Sequence, residues 1–159
     1  MASILALVLQ PGDARRRERF AYLSNRVVDA AMTAKPSRLP VKRILLAEDD
    51  ESMRGFLERA LAKAGYDVIA FANGKEAHER LQEEPFSLLL TDIVMPQMDG
   101  IELARRASEL DPQIKIMFIT GFAAVTLNTN SRAPKNARVL SKPFHLKDLV
   151  REIDRLLAI

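Results

Sequence analysis

The sequence predicts an α/β fold in which one parallel sheet of five strands is covered by helices on both faces. Two observations predict it. From Lys42 onward, apolar runs of strand length alternate with longer stretches of helical periodicity. The apolar runs are continuous, with no polar residue at every second position, which is the pattern of strands buried on both sides.

The first strand is read at Arg43–Ala47 and the helix after it at Ser52–Ala64, with Asp50 as N-cap and Gly65 as the stop. A second strand at Val68–Phe71 leads into a helix over Lys75–Glu84. The third strand, Leu88–Thr91, is followed by a helix over Ile101–Glu109 that is entered through Asp99-Gly100. The fourth strand is Ile114–Thr120. After Gly121 the helical pattern is poor, because Leu127-Asn128-Thr129-Asn130-Ser131-Arg132-Ala133-Pro134 is rich in weak helix formers. This stretch reads equally as an irregular loop or a pliable switch surface. A fifth strand at Val139–Leu140 and a helix over Leu146–Leu157 complete the pattern. Five βα repeats in this length suit a flavodoxin-like, doubly wound sheet of strand order 2-1-3-4-5.

Composition narrows the classes. The chain of 159 residues, 48% hydrophobic, supports one ordinary core. The absence of cysteine excludes disulfides, thiolate zinc sites and thiol catalysis, and two histidines argue against a His-rich metal site. Apolar runs are far too short to span a bilayer and no signal peptide is evident, so a soluble, cytoplasmic protein without membrane attachment is expected. The net charge of +3 is uneven: residues 1–41 carry seven basic and three acidic side chains, the remainder 17 and 18. The main body therefore gives no electrostatic reason to expect nucleic acid as a partner.

The chain divides into residues 1–41 and residues 42–159. The first part ends in the turn-prone Lys35-Pro36-Ser37-Arg38-Leu39-Pro40. Arg15–Ala34 could form a weak amphipathic helix as a membrane or partner arm, but a disordered or loosely attached extension is the simpler expectation. Translation starting at Val41 would make the extension a start-site artefact.

The carboxylates point to function. In open α/β sheets, ligands sit beyond the carboxyl ends of the strands. Glu48 and Asp49 follow the first strand, and Asp92 ends the third, so adjacent first and third strands would bring all three into one pocket. Crowded carboxylates repel unless a proton or cation intervenes, and a hard divalent ion, most naturally Mg²⁺, fits oxygen donors. Thr120 ends the fourth strand and Lys142 the fifth, adding a hydroxyl and an ammonium to the same rim. Such a set describes a phosphoryl acceptor, with Asp92 as nucleophile, Lys142 and the metal as charge neutralisers and Thr120 as hydrogen-bond donor.

Five segments carry a resemblance: Ile44-Leu45-Leu46-Ala47-Glu48-Asp49-Asp50, Leu90-Thr91-Asp92-Ile93-Val94-Met95-Pro96, Asp99-Gly100, Ile119-Thr120-Gly121 and Ser141-Lys142-Pro143-Phe144. In this order and spacing they resemble the signature of the CheY-like receiver domains of bacterial two-component response regulators. The resemblance implies phosphorylation of Asp92 by a histidine kinase or histidine phosphotransferase. It implies Glu48 and Asp49 as the acidic pair, Asp49 binding the metal directly, and the Val94 backbone carbonyl as a further metal ligand. It also implies Thr120 as the switch hydroxyl, Lys142 as the phosphate-binding lysine, and a cis Lys142–Pro143 bond. More narrowly, Asp99-Gly100-Ile101-Glu102-Leu103-Ala104-Arg105-Arg106-Ala107 and Phe118-Ile119-Thr120-Gly121-Phe122-Ala123-Ala124-Val125 resemble stand-alone receivers of the bacterial cell cycle. That implies an adaptor regulating proteolysis by the AAA+ protease ClpXP, engaged when unphosphorylated.

The alternative is a phosphate sink or shuttle without an output partner. Neither reading is a turnover enzyme on external substrates; the chain would accept and self-hydrolyse a phosphoryl group, as a monomer. It ends soon after the last helix, and no effector domain is expected. Val139 stands where many receivers carry a switching aromatic, so a rotating-aromatic relay is not expected. The bulky, apolar Val94 and Phe122 should slow hydrolysis of the acyl phosphate. Asp50 is read as a helix cap, His78 and His145 as exposed helix residues, Met95 and Met98 as loop packing, and Arg105-Arg106 as a solvated face.

Overall fold

The computed structural model describes residues 40–121 and 132–158. The extension up to residue 39, Phe122 and most of the weakly patterned segment lie outside these described residues. The elements below all belong to one unit, Pro40–Ile159.

Five strands, β1 (Arg43–Ala47), β2 (Asp67–Phe71), β3 (Leu88–Asp92), β4 (Lys115–Thr120) and β5 (Arg138–Ser141), form one sheet. All neighbours pair in parallel, in the order β2-β1-β3-β4-β5. The described helices are α1 (Glu51–Lys63), α2 (Gly74–Glu83), α3 (Gly100–Leu110) and α4 (Leu146–Leu157). Element boundaries differ from the sequence reading by one residue here and there. They fall at helix ends and at strand ends, where a polar residue such as Asp92 still pairs with its neighbour although it breaks the apolar run.

Successive residues of a strand face opposite sides, and here both sides are buried. Ile44, Leu46, Leu88, Leu90, Met117 and Ile119 pack with Leu57 and Leu61 of α1 and Leu149, Ile153 and Leu157 of α4. Leu45, Leu89, Ile116 and Phe118 turn the other way, toward Ala77 of α2 and Leu103, Ala104 and Ala107 of α3. The continuous apolar runs are thus the trace of two cores, one on each side of the sheet. Each fully buried Leu or Ile contributes about 1.5–3 kcal/mol through area removed from water.

Caps set where the helices begin and end. Asp50, Asn73 and Asp99 each accept a hydrogen bond from a backbone N–H in the first turn: those of Met53 (2.7 Å), Glu76 (2.9 Å) and Glu102 (2.9 Å). At the end of α1, Gly65 has φ of 100°, its N–H donates to the Ala62 carbonyl, and the Tyr66 N–H donates to that of Leu61. This pair of reversed bonds satisfies carbonyls that the helix leaves open, and it needs a left-handed residue at Gly65. Space is not the constraint, since a Cβ there meets nothing within 4 Å. Gly65→Ala should therefore destabilise the fold by about 1 kcal/mol. A urea unfolding midpoint measures this, and an unchanged midpoint contradicts it.

Candidate functional site

Parallel strands all finish at the same edge of the sheet, so residues just past their ends gather there whatever their distance in sequence. Ala47 of β1 lies opposite Thr91 of β3. The next residues, Glu48 and Asp92, are consequently neighbours, with Asp49 following on the loop. One carboxylate oxygen from each of Glu48, Asp49 and Asp92 lies within 4.8 Å of the others. Glu48 is buried at 1% exposure, Asp92 is half-buried and Asp49 is exposed.

Lys142 enters from two strands away. It follows β5 directly and does not belong to it, a small correction to the expected strand end. Its Nζ donates to Asp92 Oδ2 at 2.9 Å and Glu48 Oε2 at 3.1 Å. The other oxygens of these two carboxylates accept backbone N–H groups, Asp92 Oδ1 that of Ile93 (2.6 Å) and Glu48 Oε1 that of Asp50 (3.1 Å). Among the described residues the Asp49 carboxylate takes no such bond.

Burial pushes the Glu48 carboxyl above the usual range, only partly offset by the Asp50 N–H and Lys142. For Lys142, burial works to lower the pKa, but hydrogen bonds to Asp92 and Glu48 outweigh it and the ammonium is held above its ordinary value. With all groups ionised, three carboxylates face one ammonium, so the pocket is short of positive charge. Its donors are all oxygen, with no sulfur or imidazole among them. Charge and donor type both suit a small hard divalent cation.

Thr120 is fully buried at the end of β4, and its carbonyl accepts the Lys142 N–H at 2.8 Å. Val94, two residues beyond Asp92, is 61% exposed on the loop after β3. The Lys142–Pro143 bond is cis. Asp50 caps α1 and stands outside the carboxylate group, as expected. Met95 is buried and Met98 half-buried against the core. Val139 is half-buried against the same core.

Some positions differ from the sequence reading or were missed by it. His145 is exposed, but it occupies the N-cap of α4 without a side-chain cap bond. His78 is half-buried, not exposed; burial and the charge of Arg106 on α3 lower its pKa. Arg105 and Arg106 both hydrogen-bond Glu102, which holds the Glu102 carboxyl down at about 2, and Arg105 also pairs with Glu109. Gly100 begins α3 and also allows a close approach: a Cβ there would collide with the Asp92 carbonyl, while its N–H donates to Ile93 O at 2.8 Å. The Asp99-Gly100 pair signalled a helix start; nothing in the pattern said that the glycine abuts Asp92.

The response regulator receiver domain family matches residues 44–154 of this chain. The chain belongs to that family. It is 74% identical over 117 residues to the response regulator receiver protein CpdR of Brucella abortus, covering 74% of this chain and 98% of that protein. A receiver protein from Sinorhizobium medicae superposes with a TM-score of 0.70 at 33% identity, over 76% of this chain and 98% of that one. Response regulator TrrA of Thermotoga maritima, solved in complex with Mg²⁺-BeF, gives 0.66 at 27% identity, over 74% and 100%. The receiver fold and its strand order are thus shared with solved relatives. Among the described residues no helix is long and apolar enough to cross a membrane.

Three like charges in one pocket cost stability when no cation is bound. Asp49→Asn should raise the melting temperature by about 3 °C in chelator-treated buffer, where added stability translates into a few degrees. It should also abolish most of the stabilisation that Mg²⁺ gives the unaltered receiver. A lower melting temperature without Mg²⁺ would contradict the repulsion.

Proposed function

We propose that this chain is a single-domain response regulator, phosphorylated on Asp92 in a Mg²⁺-dependent phosphorelay, whose phosphorylation state controls binding of a partner. The observation that carries this is the meeting of Asp92 with Glu48, Asp49 and Lys142 at one edge of the sheet. Glu48, Asp49, Asp92 and the Val94 backbone carbonyl would hold the ion. Bound there, Mg²⁺ would offset negative charge on the phosphoryl oxygens.

The protein's own residues then divide the work. An Asp92 carboxylate oxygen attacks phosphorus in line, the bond from phosphorus to the donor's histidine nitrogen breaks, and an acyl phosphate remains. The donor is a histidine kinase or histidine phosphotransferase. Lys142, which bridges Asp92 and Glu48 at rest, turns its ammonium to the new phosphoryl oxygens. The Thr120 hydroxyl donates to one of them, which couples the phosphoryl group to the end of β4. With Val139 in place of an aromatic, the signal travels through backbone there.

Residues 42–159 would constitute the receiver, acting as a cytoplasmic monomer, with residues 1–41 as an extension. The likeness to CpdR supports an adaptor that engages an AAA+ protease of the ClpXP type when unphosphorylated and releases it when phosphorylated. Affinity capture with wild type and Asp92→Ala, each with and without phosphodonor, tests this. An adaptor retains the protease in the unphosphorylated forms and loses it only where Asp92 can be phosphorylated. Capture of a kinase or phosphotransferase alone, in every state, identifies a phosphate sink instead.

The lifetime of the acyl phosphate gives a second check. Val94 cannot orient a hydrolytic water and, exposed on the loop after β3, would shield the phosphoryl group. Val94→Asn should accelerate loss of phosphate severalfold, followed by the decay of labelled protein. An unchanged rate sinks the shielding idea.

A further inference from the structure

At the β1–α1 junction one side chain meets two backbone carbonyls that the helix leaves open. The first intrahelical bond of α1 runs from the Arg54 N–H to the Asp50 carbonyl at 2.8 Å. The carbonyls of Glu48 and Asp49 lie before that acceptor, so no helical N–H reaches them. Both are met by a single atom, Arg54 Nη1, at 3.0 Å from Glu48 O and at a longer 3.4 Å from Asp49 O. Arg54 sits one turn inside α1 and reaches back over the helix start, the direction in which helical side chains lean.

This placement is electrostatically wrong for the helix. The N-terminus of a helix carries partial positive charge, and a guanidinium folded over it is disfavoured. Among the described residues Arg54 forms no ion pair that would account for it. What holds it there is the pair of backbone carbonyls of Glu48 and Asp49, both of which accept from its Nη1.

We infer that Arg54 is a positioning residue for the cation site: it fixes the Glu48–Asp49 backbone so that both carboxylates face the pocket. The inference rests on the metal-site reading above. It makes a counterintuitive demand. Judged by charge alone, removing Arg54 should tighten cation binding, because a nearby positive charge disappears. As a hydrogen-bonded clamp on two ligand-bearing residues, Arg54 should instead strengthen binding, as groups that orient metal ligands do.

Calorimetric titration of the whole chain with MgCl₂, without any phosphodonor, separates the two. Arg54→Met keeps the apolar stem and loses the charge; Arg54→Lys keeps the charge, but its Nζ ends one atom short of the Nη1 that meets both carbonyls. Both should bind Mg²⁺ about tenfold more weakly than wild type, while each melts as one cooperative transition. Affinity that is unchanged or higher in Arg54→Met, or at the wild-type value in Arg54→Lys, overturns the inference. So does a lowered melting temperature with unchanged Mg²⁺ affinity, which a merely structural role would give. Should Arg54→Met not fold, Arg54→Lys decides alone. Wild type that takes up no Mg²⁺ would refute the metal-site reading itself, a result distinct from a wild type that binds and variants that match it.

Discussion

Everything at the functional edge depends on keeping three carboxylates within 4.8 Å of one another around one ammonium. Left alone, such a cluster would fly apart or take up protons. Here it is restrained by backbone. Two of the carboxylates are anchored at the ends of adjacent paired strands, and each keeps one oxygen on a backbone N–H and the other on Lys142. The two apolar cores hold the strands in register, so hydrophobic burial on both faces of the sheet supplies the rigidity that the charged edge needs. The arrangement is poised because its charges are not balanced. On the proposed function, an added cation and an added phosphoryl group would both be answered by groups already in place.

The same restraint explains how a local event could spread. Lys142 is bonded at once to Asp92, to Glu48 and, through its N–H, to the Thr120 carbonyl. Charge placed on Asp92 would therefore change the partners of a residue tied to three strand ends. A packed sheet cannot deform smoothly in response, and the loop beyond β3 is where a change can be expressed.

Much of this was legible in the sequence, and the reason is geometric. A doubly wound parallel sheet buries its strands on both faces, so Ile44–Ala47 and Leu88–Leu90 announce themselves as unbroken apolar runs. The acidic residues that follow, Glu48 and Asp49 at once and Asp92 after Thr91, need no three-dimensional information to be placed at the carboxyl edge. Other features leave no such trace. Arg54 is one of many arginines on helices, and its pairing with two carbonyls depends on how the chain turns between β1 and α1. Gly100 reads as part of a helix entry, yet its contact with the Asp92 carbonyl is a matter of packing between a loop and a strand end. His78 looked exposed on helical spacing alone and is half-covered in the fold. Period and propensity describe a residue's own element, while these three are decided by neighbouring ones.

The most direct measurement of the central claim is phosphoryl transfer to the purified chain from a labelled phosphohistidine donor, with Mg²⁺ and with chelator, in wild type and Asp92→Asn. Wild type should carry acid-stable, base-labile label in the presence of Mg²⁺ and little with chelator, and Asp92→Asn should carry none. Label of equal extent on Asp92→Asn would contradict the assignment of Asp92 as the phosphoryl acceptor.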